Sequence, residues 1–198
     1  VITHHPLIFG GIRKISDATL TGRTVISAIR HGITVYACHT NMDKVPCGVS
    51  GTSASRIGLQ DVRVLDSDSD GNGLGVIGNL PYPMAPEAFL SHLKQCLSVK
   101  TIRHSRLPAE LLRSVALCGG SGRSLIEKAR SSGADVYVSG DISYHDFYAP
   151  DGMMIADIGH FESEVEIIGV ICDIVREKIP NFAVYTARSS TVNPVYYF

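Results

Sequence analysis

Short runs rich in β-branched and aromatic residues alternate along this chain with longer stretches of helical period, and no other feature constrains the fold as strongly. The strand-like runs are Val1–Thr3, Ile33–Cys38, Val62–Leu65, Gly75–Gly78, Ser114–Cys118, Val136–Ser139, Met154–Asp157 and Phe182–Tyr185. Helical spacing is expected over Leu20–Arg30, Ser53–Leu59, Pro86–Leu97, Arg123–Ser131 and, longest, Phe161–Ile179. Pro180 and Asn181 end that last helix, because proline neither donates to the helix ladder nor fits its interior. The alternation predicts an α/β fold with a largely parallel sheet. Two segments interrupt it. The acidic, serine-rich stretch from Asp66 to Gly73 has no glutamate at the bidentate position of a calcium loop and reads as a solvated turn. The proline-containing segment 81–113, with one clear helix, is the expected junction between a first lobe at 1–80 and a second at 114–198.

Composition narrows the class. Of 198 residues, 44% are hydrophobic and 19% charged, which describes a chain with a buried core and excludes a disordered tail, a coiled coil or a collagen-like polymer. With 18 Lys+Arg against 19 Asp+Glu the net charge is −1, so a nucleic-acid partner is not supported by charge. Cys38, Cys47, Cys96, Cys118 and Cys172 are dispersed and contain no C-x-x-C pair, which points to free thiols and a cytoplasmic protein. No apolar run approaches the roughly 18 residues of a membrane span, and no targeting pattern opens the chain, so no membrane partner is expected. The start at Val1-Ile2-Thr3, without methionine and in what reads as the middle of a strand, suggests a fragment.

Candidate chemistry collects where strands end. Val1-Ile2-Thr3 runs out into His4 and His5, and Pro6 holds His5 extended, so the two neighbouring imidazoles diverge and suit two metal ions better than one. The run ending at Cys38 delivers His39 and, four residues on, Asp43. Asp43 is the better ligand candidate, with His39 either a ligand or its hydrogen-bonded partner. After Met154–Asp157 the chain turns through Gly159 into a helix that carries His160 and Glu164 four apart on one face, while Glu162 points elsewhere. A carboxylate in the Glu164 position can bridge two cations. Three strand ends that each offer imidazole or carboxylate are hard to assign to core packing alone. Nitrogen and oxygen donors without thiolate point to two divalent transition-metal ions, Fe, Zn, Mn, Co or Ni. A dinuclear centre of this kind turns water into a nucleophile near neutral pH.

Other segments keep two readings each. Cys118-Gly119-Gly120-Ser121-Gly122-Arg123-Ser124 is a tight strand-to-helix turn or, through its backbone amides, an anion site, though it lacks the Walker ending and the full dinucleotide pattern. Asp141 reads as a helix cap, and His145 as either a proton shuttle or a structural residue. Asp157 either orients His160 or satisfies a turn. His31, His92 and His104 take no role. The aromatic C-terminal stretch with Tyr196, Tyr197 and Phe198 is expected to pack on a lobe or a neighbouring subunit.

In order along the chain, Thr3-His4-His5-Pro6, His39-Thr40-Asn41-Met42-Asp43, Val115–Gly122, Tyr137–Asp146 and Asp157-Ile158-Gly159-His160-Phe161-Glu162-Ser163-Glu164 resemble one family, the GTP cyclohydrolase 1 type 2 homologues of the NGG-interacting-factor-three group. The resemblance covers nearly the whole chain. It implies that His4, His5, Asp43, His160 and Glu164 are the five metal ligands, with Glu164 bridging, and that His39 and His145 lie close to the site as catalytic candidates. It also implies two α/β lobes with mixed, largely parallel sheets facing each other across the metals, and a toroidal homo-hexamer built as a trimer of dimers. The family's N-terminal strand-and-helix segment before His-His-Pro is missing here, and the Gly73–Pro83 stretch runs straight on without the inserted domain of longer members. Two functions follow: a metal-dependent hydrolase acting on a small-molecule substrate such as a nucleotide or phosphate ester, or a non-catalytic metal-binding scaffold that recruits protein or nucleic-acid partners.

Overall fold

A computed structural model describes residues 1–148, 152–187, 189 and 192–198. The chain divides into two compact units, Val1–Met42 and Asp43–Phe198. In the first, β1 (Ile2–Thr3) pairs in parallel with β2 (Tyr36–Ala37), Ile2 opposite Tyr36 and Thr3 opposite Ala37. Between them runs α1 (Leu20–Arg30), whose first turn is capped by the Thr19 hydroxyl accepting from the Gly22 amide at 3.1 Å. The expected strand over 33–38 shortens to two residues for a local reason. The Ile33 amide donates to the Ala28 carbonyl at 2.8 Å, so the chain is still closing the helix where the strand was expected to begin.

The second unit is built on a six-stranded sheet in the order β3-β4-β6-β7-β8-β5. Its strands are β3 (Gln60–Ser67), β4 (Gly73–Met84), β5 (Arg103–His104), β6 (Leu112–Ser121), β7 (Val136–Gly140) and β8 (Met154–Asp157). The sheet is mixed. Central β6, β7 and β8 are parallel, whereas the β3–β4, β4–β6 and β5–β8 pairings are antiparallel. The acidic stretch is the solvated turn expected of it, closing the β3–β4 hairpin with the Gly71 amide on the Asp68 carbonyl. Because β4 pairs with β6 across the 81–113 segment, strands from 60–84 and from 112–157 share one sheet, and the division of the chain falls after Met42 rather than near residue 80. The β4–β6 register slips between Asn79 and Met84, where Pro81 and Pro83 cannot donate.

Side chains alternate across the parallel strands. Val115, Leu117, Val136, Val138, Met154 and Ala156 pack on one face with Ala54 and Ile57 of α3 (Val49–Ile57) and with Phe89, Leu93 and Leu97 of α4 (Pro86–Leu97). Ala116, Cys118, Tyr137 and Ile155 pack on the other with Ile126 and Ala129 of α5 (Ile126–Ser131). Burial on both faces explains why these strands read as nearly continuous apolar runs.

Three expectations are corrected. The helix expected over Ser53–Leu59 starts four residues earlier, at Val49, and ends on Gly58 in the left-handed conformation. The long helix is two, α6 (His160–Glu164) and α7 (Ile167–Lys178), because hydrogen bonding tightens at the junction: the Ile168 amide donates to Val165 and the Gly169 amide to Glu166, each three residues back. Phe182–Tyr185 forms no strand; Phe182 instead donates its amide to the Ile179 carbonyl just beyond the end of α7. The short α2 (Thr40–Asp43) spans the boundary of the two units.

Candidate metal centre

In the first unit three imidazoles gather at the C-terminal ends of β1 and β2. The parallel hydrogen bonding continues past both strands, Cys38 donating to the Thr3 carbonyl and His39 to that of His4, each at 2.9 Å. This continuation sets His39 beside His4. The ring centroids of His4 and His5 are 4.9 Å apart with planes at 68°, and His39 lies 5.9 Å from each. Phe9 stands edge-on to His39 at 5.9 Å. His39 adopts φ +40°, a left-handed conformation uncommon outside glycine, at the sharp turn into α2. Three imidazoles gathered at neighbouring strand ends form a donor set suited to a borderline cation.

In the second unit the ends of β7 and β8 carry the other donors. Gly159, at φ +91°, turns the chain from β8 into α6, and His160 opens that helix. The His160 ring is held at both nitrogens: Nδ1 lies 2.7 Å from Asp141 Oδ2, and Nε2 lies 3.1 Å from Glu164 Oε2 one helical turn on. The hydrogen bond with Glu164, joined by that with Asp141, raises the imidazole pKa from 6.5 to about 9 against the opposing effect of burial. Two carboxylates on one ring therefore hold a proton between Nε2 and Glu164, at the place where a cation would take over both atoms. In that respect the donors fit a divalent metal.

Glu164 is largely buried, and glycine makes room for it. A Cβ on Gly120 would stand 2.2 Å from Glu164 Oε1 and 3.5 Å from His160 Nε2, and the residue sits at φ +64°. The Cys118–Ser124 segment thus lets α6 approach the end of β6. Three of its amides are used, Gly119 donating to the Ser50 hydroxyl, Gly120 to Ser163 and Gly122 to Ser139. These three bonds fit the tight-turn reading of the segment. Asp43 and Glu164 both bear on the Cys118 thiol, whose pKa is pushed up to about 11, first by burial and then by these two charges. Asp43 and Glu164 therefore share one neighbourhood.

Asp157 satisfies turns rather than orienting His160. Its buried carboxylate accepts from the Ile142 and Gly159 amides at 2.9 Å each and pairs with Arg103. One side chain thus pins the two loops that carry Asp141 and His160. Glu162 points away as expected, accepting from Asn193 Nδ2 at 2.7 Å. His145 is exposed on the turn after β7, 5.4 Å from the Tyr144 ring, and among the described residues no hydrogen bond links it to His160 or Asp141. The residues that sequence reasoning undervalued are Asp141, read as a cap, and Gly120, read as part of a generic turn. The signal for both was glycine next to a strand end, in Gly119-Gly120 and Gly140-Asp141.

The fold is a mixed α/β sheet with candidate donors at the ends of β7 and β8, the strand-end position where open α/β sheets commonly carry ligands. The chain belongs to the Duf34/NIF3 (NGG1p interacting factor 3) family, whose sequence pattern matches residues 1–194. It is 31% identical over 199 residues to a Clostridium perfringens protein named GTP cyclohydrolase 1 type 2 homolog, covering 98% of this chain and 76% of that one. A Streptococcus pneumoniae protein of the same name is 32% identical over 176 residues, covering 86% of this chain and 65% of that one. Among solved structures, a Staphylococcus aureus hypothetical protein superposes with a TM-score of 0.88 at 24% identity, covering all of this chain and 79% of that one. A Bacillus cereus protein related to NIF3 gives 0.88 at 22%, covering all of this chain and 82% of that one. These two likenesses establish the fold.

Proposed function

We propose that this chain is a dinuclear metal-dependent hydrolase-like protein whose substrate is a nucleotide or another phosphate-containing small molecule. The observation that carries the reading is the His160 ring fixed between Asp141 and Glu164 at the ends of parallel strands. The proposed ligands are His4, His5, Asp43, His160 and Glu164, for two divalent ions from the Zn, Fe, Mn, Co and Ni group, with Glu164 serving both. Bound together, such ions supply a hydroxide at neutral pH and polarise a substrate oxygen.

The chain's own residues do the rest. Asp141 and Glu164 fix the ring of His160, and Gly120 leaves the Glu164 carboxylate the space it occupies. His39 and exposed His145 are the proposed groups for moving a proton between the site and solvent, imidazole being the commonest side chain in that role. The name shared by the relatives, GTP cyclohydrolase 1 type 2 homolog, supports a nucleotide as the first substrate to try.

We also propose a homo-hexamer, a trimer of dimers, in the cytoplasm. Phe9, Tyr185 and Tyr196 are each more than four-fifths exposed in a single chain, a large apolar area for an isolated protomer. All five cysteines are free, as a reducing compartment requires, and among the described residues no helix is long and apolar enough to cross a membrane.

Activity is tested by hydrolysis of GTP and of p-nitrophenyl phosphate by the metal-loaded protein, with light scattering to follow assembly. Turnover that falls to background in His160→Ala and Glu164→Ala, with the assembly intact, supports the hydrolase. A metal-loaded wild type without turnover on either substrate contradicts it and leaves the scaffold reading.

A further inference from the structure

The proposed ligand His160 is supported by a residue that the ligand set does not contain. Asp141 follows the last residue of β7 and sits at φ +53°, a conformation that Asp, Asn and Gly tolerate and most other residues avoid. Its neighbour Ile142 is tied through its amide to the buried Asp157 carboxylate, and the same carboxylate holds the Gly159 amide beside His160. The two loops are therefore fixed to a common anchor. From that anchored position Asp141 Oδ2 reaches His160 Nδ1 at 2.7 Å.

We propose that Asp141 is a positioning residue, holding the proton on Nδ1 of His160 so that Nε2 is the nitrogen presented to a cation beside Glu164. An imidazole has two donor nitrogens and two ring orientations, and a carboxylate on one nitrogen selects both the tautomer and the ring plane. The left-handed backbone at position 141 and the hydrogen bond to His160 are then two demands met by one residue type. Alanine or glutamate fails the first or overshoots the second, and glycine meets only the backbone demand. Asparagine meets the backbone demand and keeps a neutral acceptor. This inference rests on reading His160 as a metal ligand.

The test compares wild type, Asp141→Asn and Asp141→Gly, with zinc chloride as the probe and folding checked by circular dichroism. In zinc-loaded wild type, long-range proton–nitrogen correlation spectra should show His160 protonated at Nδ1 and metallated at Nε2. The reverse assignment overturns the proposal without recourse to any variant. Asp141→Gly should lose the slowly exchanging Nδ1 proton and weaken zinc binding by about 10- to 100-fold, the usual effect of removing such a partner. Asp141→Asn should keep the proton and stay within a few-fold of wild type. If residue 141 serves only its backbone conformation, glycine and asparagine behave alike and the proposal fails. A wild type that shows the Nδ1 proton pattern yet binds no zinc overturns the metal reading while upholding the hold of Asp141 on the ring.

Discussion

At the scale of single residues, His160 ties protonation to stability. Its pKa stands at about 9 in the folded chain against 6.5 ordinarily, so the protonated ring favours the folded state. That contribution is complete below about pH 6.5 and is lost as pH rises through about 9. In protein stripped with a chelator, the melting temperature should fall across this window more steeply in wild type than in His160→Gln, and parallel curves would show that the ring is not held as described. Cys118 behaves oppositely to a reactive thiol. Burial and the nearby Asp43 and Glu164 charges keep it protonated, whereas Cys47 is exposed. Iodoacetamide near pH 8 should modify Cys47 in the native protein and reach Cys118 only after unfolding, as read by peptide mass. Gly120→Ala places a methyl group against the Glu164 carboxylate in a left-handed backbone, and denaturant unfolding should register a loss of about 1–3 kcal/mol.

At the scale of elements, the site depends on turns at the ends of β7 and β8 more than on the strands. Asp157 accepts from two backbone amides, which lose this acceptor when its side chain is removed. Asp157→Ala should destabilise the fold by about 2–5 kcal/mol in urea titration, and an effect under about 1 kcal/mol would show that the loops are held by something else. The elements that sequence reasoning located well are those whose signal is local. Leu20–Arg30 and Pro86–Leu97 form as expected because a capping threonine, a first-turn proline and an apolar stripe all lie within the helix itself. The misjudged ones depend on distant partners. Phe182–Tyr185 has strand-forming residues but no strand to pair with, and the break between α6 and α7 falls where Glu166 pairs with Arg56 of α3, more than a hundred residues away in sequence. The length of β3 and β4 was underread for a similar reason, since pairing along a hairpin extends strands past their apolar cores.

At the scale of the whole molecule, the α/β class was legible from alternation, and the mixed sheet order was not. Whether an edge strand runs parallel or antiparallel depends on the path of the connections, which periodicity does not encode. The candidate donors were legible as residue types at several strand ends, because imidazole and carboxylate groups recurring there are hard to assign to core packing alone. The partners that orient those residues were hidden, because the 2.7 Å contact between Asp141 and His160 joins two loops nineteen residues apart. The proposed centre holds two metal ions, with Glu164 serving both. Elemental analysis of protein purified without added metal, wild type beside Glu164→Ala, tests it most directly. About two transition-metal equivalents per wild-type chain, and loss of both in the variant, are expected. A folded wild type without tightly bound metal, or a variant that gives up only one equivalent, would contradict it.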